Sequence, residues 1–317
     1  MKQKEQFISK ENYSNNLKLI FLETILTLIG AGFSVATITV FWNSIGMNQT
    51  DIGFVQMAFT IAICLLDIPM GYIADRFNRK ALNIIGDIGV AFVFVVYAFS
   101  KNMYMAIISE CLLGLFMAMT NGVDQSFIKT NCDKIDDTGE LFKKVNVKIH
   151  TARYVSLLVV TIIGGFIAKY SIRLSIGISF IPYFLGGLIA FKIHDHNEKL
   201  EVKHNNPLKD MLHSIKEILR EKDTRIYLFS YILGKEITHW LVEGNMATSL
   251  QESAKNEIQT SIMSIASTGA RLLYIPLVYF INYLGNIKLQ LALLGVCCLF
   301  LPMCGIAYYK LRKLENK

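Results

Sequence analysis

Nine ionisable side chains stand inside runs of otherwise apolar sequence: Glu23, Asp67, Asp87, Glu110, Asp124, Lys235, Glu236, Glu243 and Arg271. A charge in such a setting is expensive unless it pairs, faces water or exchanges a proton, so each is a candidate for function. Glu110 and Glu23 are the leading candidates for a proton or substrate site. Low dielectric favours a neutral carboxyl and opening to water favours release, the cycle that a proton carrier needs. A carboxylate there could also attract a cationic substrate. Glu236 either lines a cavity or, with the adjacent Lys235, pairs across helices. Asp67 and Asp124 lie near the basic ends of their segments, where pairing with basic residues is the plainer role, and Asp124 is expected within reach of Arg153.

Other chemistries find no support. No phosphate-binding glycine loop, no clustered metal ligands and no nucleophile with a base at workable spacing occur. The reading is therefore of a non-enzyme with no metal and no cofactor, driven by an ion gradient. The six cysteines show no CxxC spacing, and five of them lie inside apolar runs, so they read as small hydrophobes. The net charge of +7 does not indicate nucleic acid, because the basic residues sit in short segments between apolar runs.

Those runs are the elements that must position the carboxylates. The chain has 317 residues, 53% hydrophobic and 18% charged, a charge fraction below that of ordinary soluble domains. Runs of about 20 apolar residues recur along it, long enough to cross the hydrocarbon as helices. Spans are expected at about 17–42, 51–74, 81–100, 103–128, 151–170, 171–192, 225–249, 258–283 and 287–309. The first is too long for a cleavable signal segment and reads as retained. Trp42 suits an interfacial anchor. Residues 129–150 are expected as a polar connector. Residues 193–224 form the longest polar stretch, in which Leu208, Met211, Leu212, Ile215, Ile218 and Leu219 recur at helical spacing beside Lys209, Lys216, Arg220 and Lys222. That pattern predicts an amphipathic helix at the membrane face. Loop charge places the N-terminus in the cytoplasm. Nine spans would then put the C-terminus outside, although its tail carries Lys310, Arg312, Lys313 and Lys317.

The segment Gly71, Tyr72, Ile73, Ala74, Asp75, Arg76, Phe77, Asn78, Arg79, Lys80 resembles the loop signature of the major facilitator superfamily. It stands between spans two and three, as in that family. On its own chemistry, Gly71 permits close helix approach and Asp75 can accept charge-assisted hydrogen bonds, while Arg76, Arg79 and Lys80 hold the turn to the membrane face. The resemblance implies a conformational latch at these five residues, or at the least a topology anchor. It also implies an all-α helical bundle with domains at 1–192 (six spans), 193–224 (loop with surface helix) and 225–317 (about three spans, an incomplete C-terminal half against the family's usual twelve). Drug-exporter features are thin: Glu110 with Gly114 replaces an arginine-led motif, and Val160 and Thr161 precede Gly164 and Gly165 where Gly-Pro is usual. A faint copy of the loop signature occurs at Gly285, Asn286, Ile287 and Lys288. The expected function is secondary transport of a small molecule across the cytoplasmic membrane, as proton-coupled export or as uptake. The remaining reading is a truncated, non-transporting chain that acts structurally or with a partner. Lipid, a small molecule and protons are the expected partners, and nucleic acid is not.

Overall fold

The computed structural model describes residues 10–195 except 36 and 137, together with Lys209, Leu212, His213, Lys216 and Arg220. The described secondary structure is entirely helical, and it makes six segments long and apolar enough to cross a membrane. The expected spans seven to nine, with Lys235, Glu236, Glu243 and Arg271, lie outside the described residues.

Span one is α1 (Lys10–Val35) followed by α2 (Ile38–Ser44). Span two is α3 (Gln49–Ile73), started by a capping box: Asn48 Oδ1 accepts from the amides of Thr50 and Asp51, and Asp51 Oδ2 accepts from the Asn48 amide. A π turn over Ala74–Asn78 leads directly into α4 (Arg79–Ala98), which Asn78 caps through the Ala81 amide. Span four is α5 (Met103–Thr120), capped by Asn102, and α6 (Val123–Ile135). The break between them falls at Gly122, whose φ of 78° is a left-handed value that glycine adopts without strain. Span five lies in α7 (Glu140–Tyr170), and span six is α8 (Ile172–Gly177) with α9 (Phe180–Ala190).

The connector expected at 129–150 is mostly helix. Span four continues to Ile135, and α7 begins at Glu140 rather than near Thr151. Asp136 drives the restart. Its carboxylate accepts from the Thr138 hydroxyl at 2.7 Å, the Thr138 amide at 3.1 Å and the Leu141 amide at 3.1 Å. These bonds hold its carboxyl below the usual aspartate range. In the mid-chain segment, Lys209, Leu212, His213, Lys216 and Arg220 are helical and exposed.

Span one packs on spans five, six and the α6 part of four. Span two packs on α5, and span three lies between α5 and α9. Helices come together where small residues allow it. A Cβ added at Gly86 of α4 would meet Thr120 Cγ2 and stand 2.9 Å from the Phe116 carbonyl of α5. Apolar packing concentrates at two levels. One holds Phe41, Trp42, Phe94, Tyr97, Ile176 and Tyr183, with Phe94 and Tyr183 stacked at 5.5 Å. The other holds Ile20, Phe127, Cys132, Phe142 and Ile193. Cys132 is thus buried although it falls in the expected polar connector, and Cys111 of α5 is exposed.

Candidate functional site

The loop signature forms one end of the bundle, here the basic end. Asp75 Oδ1 accepts from Arg79 Nη2 at 2.7 Å, and both side chains are buried. The spacing of four residues puts the two on one helical face, so the pair closes within the turn. Arg76 lies over the Tyr72 ring at 5.6 Å, and Gly71 is buried in the last turn of α3. Lys80 Nζ donates to the Phe191 carbonyl at 2.7 Å, tying the turn to the end of span six. All five predicted latch residues therefore gather here. The same end is laced by Asn16, which donates to Asn131 Oδ1 and to the His194 carbonyl and accepts from the His194 amide, each at 2.9 Å.

Deeper in, Asp67 of α3 receives both oxygens' bonds from Asn121 Nδ2, at 2.7 and 2.8 Å, at the break in span four. Asp124 does not form the expected pair with Arg153. Glu23 is its charged neighbour instead, and its Oδ1 has no hydrogen-bond partner among the described residues. Arg153 acts electrostatically on Tyr183.

Glu23 is buried between spans one and three. Asn83 Nδ2 donates to its Oε1 at 3.3 Å, and Asp87 is its carboxyl neighbour. Glu110 occupies a different place, near the opposite end. Tyr97 Oη donates to Glu110 Oε1 at 2.9 Å, and Trp42 Nε1 donates to Tyr97 Oη at 2.8 Å. This chain joins spans one, three and four, and all three side chains are buried. Trp42 is thus packed inward rather than standing as an interfacial anchor. The same end is closed by Arg173, which donates to the carbonyls of Ala98 and Ser100 at 2.7 and 2.8 Å and lies over the Phe41 ring. The structure therefore brings Glu23 together with Asp87 and Asp124 but keeps Glu110 apart from them. Among the described residues no group of three potential ligands has the geometry to hold a metal ion.

A family model described as Major Facilitator Superfamily matches residues 20–311. An uncharacterized MFS-type transporter of Methanocaldococcus jannaschii is 24% identical over 195 residues, covering 59% of this chain and 49% of that protein. The MFS-type transporter YitZ of Bacillus subtilis is 27% identical over 154 residues, covering 48% of this chain and 90% of that one. Protein ZINC INDUCED FACILITATOR 1 of Arabidopsis thaliana is 27% identical over 117 residues, covering 37% of this chain and 23% of its own length. The match thus spans about half of the archaeal relative. Among solved structures, a mutant of the nucleoside transporter NupG superposes with a TM-score of 0.65 at 9% identity, covering 94% of this chain and 99% of that one. The human organic anion transporter MFSD10 superposes with a TM-score of 0.59 at 11% identity, covering 90% and 98%. At these identities the likeness is one of fold.

Proposed function

The chain belongs to the Major Facilitator Superfamily, and from that premise we propose that it moves a small molecule across the cytoplasmic membrane by secondary transport, as a proton-coupled exporter. The observation that carries this reading is the buried Asp75–Arg79 pair in the turn joining spans two and three, in a chain whose described part has six segments long and apolar enough to cross a membrane. A buried ion pair at a helix junction resists being parted, because a partner left alone in a dry site is costly. A latch between two states of a transporter needs that property. Gly71, Arg76 and Lys80 complete the latch by close packing and by anchoring to Tyr72 and to the Phe191 carbonyl.

The basic end faces the cytoplasm in this proposal, as positive-inside charge asks. The coupling ion is a proton, carried by buried carboxyl groups of which Glu110, Glu23 and Glu236 are the candidates. The ionisable residues singled out in the first six spans, Glu23, Asp67, Asp87, Glu110 and Asp124, are acidic, which favours a neutral or cationic cargo. Uptake by the same fold differs only in the direction of the cycle.

The test is flux in proteoliposomes loaded with a pH-sensitive dye and challenged with a panel of fluorescent lipophilic cations. Wild type is expected to couple cation movement to a pH change. Asp75→Asn is expected to insert normally and lose most of that flux. Equal flux at equal protein density would reduce the pair to a topology anchor.

A further inference from the structure

Three acids from three helices converge near the basic end: Glu23 of α1, Asp87 of α4 and Asp124 of α6. Glu23 and Asp87 are 1% and 3% exposed, and Asn83, aimed at Glu23 through its Nδ2, is 1% exposed. Four acceptor oxygens here have no hydrogen-bond partner among the described residues: Glu23 Oε2, Asp87 Oδ2, Asp124 Oδ1 and Asn83 Oδ1. Donors are scarce. Asn83 supplies one bond, and the Thr24 hydroxyl already donates to the Ile20 carbonyl. Span six seals the site with a glycine: a Cβ added at Gly186 would stand 3.7 Å from Asp87 Oδ2 and 3.1 Å from Thr27 Cγ2.

Among the described residues, the charged and titratable groups facing the three acids are one another and the Tyr183 phenol of α9, with Arg153 of α7 beyond it. None of the three is ion-paired to a described basic side chain. Buried acceptors without donors are costly, and an unpaired buried carboxylate costs more. Asn83, which bonds Glu23, stands one helical turn before Asp87, so the two carboxyl groups lie side by side, and buried like charges so placed are not held together without a proton between them. The missing partners are therefore hydrogens.

We propose that Glu23 and Asp87 share one exchangeable proton in a buried site completed by Asp124 and Asn83. The proton arrives from hydronium, leaving water, and departs the same way, so no bond between heavy atoms changes. Its departure leaves two adjacent carboxylates on α1 and α4, which repel and favour separation of spans one and three. The site thereby converts protonation into helix movement. Its use as a coupling site rests on the transport reading, but the shared proton does not.

The test is infrared spectroscopy of the full chain in lipid nanodiscs, in a Glu110→Gln background so that Glu110 contributes no carboxyl signal. Protonated carboxyl groups are counted at neutral pH in that background, in Glu23→Gln, in Asp87→Asn and in the double variant. Each amide replacement supplies a donor to the remaining acid, which then ionises. Each single variant is expected to lose the same one-carboxyl signal, and the double variant to lose nothing further. Separate signals that add in the double variant, or none lost in either, would overturn the shared proton. If one variant does not fold, the other decides by the same criterion. If neither folds, the unaltered site is titrated by itself between about pH 5 and 8. A broad continuum band of a proton held between two carboxyl groups, displaced in deuterium oxide, supports the proposal, and its absence throughout that range overturns it. Flux is not measured here, so failure of the site and failure of the transport reading remain distinguishable.

Discussion

At the scale of single residues, Glu110 and Tyr97 form a pair whose two roles can be separated. Glu110→Gln keeps an oxygen for the Tyr97 hydroxyl at 2.9 Å and removes the exchangeable proton. Melting of the purified protein should then stay near wild type while substrate-driven proton movement is abolished. Loss of folding with loss of coupling would make Glu110 a packing residue. Tyr97→Phe does the reverse, stranding the Trp42 indole N–H and the Glu110 carboxyl in a dry interior. Each stranded group costs about 1–3 kcal/mol, so this variant should melt distinctly earlier. Glu110 and Trp42 stand out in the sequence as an ionisable and an aromatic group in apolar runs, Tyr97 between them is one aromatic among many, and the Asp75 and Arg79 spacing announces its own pairing. Partners further apart do not. Asp87 stands in the sequence as one intramembrane acid among several, and only the rotations of α1, α4 and α6 bring it to Glu23 and Asp124. The Asn121 bond to Asp67 is likewise hidden, since it crosses 54 residues and needs the break at Gly122 to aim it.

Helices show the same division between local and distant information. Six spans are legible from apolar runs, and Asn48, Asn78 and Asn102 mark three starts by side-chain capping. The extension of α7 back to Glu140 is not legible from hydrophobicity, because Lys143, Lys144 and Lys148 make that stretch polar. Its signal is the Asp136–Thr138–Gly139 start instead, with Gly139 at φ 77°. That cap titrates. Because its carboxyl lies below the usual range in the folded protein, its contribution is full above the ordinary aspartate value and is lost as the pH falls below about 4. Hydrogen exchange at Leu141, corrected for the intrinsic rate, should rise on acidification in wild type and be pH-insensitive in Asp136→Asn. The contact between α4 and α5 gives a second prediction at this scale. Gly86→Ala places a methyl 2.9 Å from the Phe116 carbonyl and against Thr120, so the two helices must part. Destabilisation of about 1–3 kcal/mol is expected, read as a lower melting temperature in detergent.

For the molecule as a whole, a single prediction concerns which way it lies. A cysteine introduced at 193–206 should resist an impermeant thiol reagent applied to intact cells and react after the membrane is opened. Labelling from outside would invert the topology. The family resemblance is legible because its signature is contiguous and sits at a fixed place between two spans, whereas the arrangement of spans around one another has no such local mark. One feature of that arrangement sets a mechanical property. Helix α7 runs unbroken for 31 residues, about 46 Å, against a hydrocarbon slab of about 30 Å. It is a stiff rod with roughly a third of its length standing clear of the membrane at the basic end. A rod of that kind is a lever: a tilt of about 10° about its Tyr170 end sweeps Glu140 sideways by roughly 8 Å. Lys143, Lys144 and Lys148 stand on that arm, so such a tilt would carry their charges across the lipid headgroups.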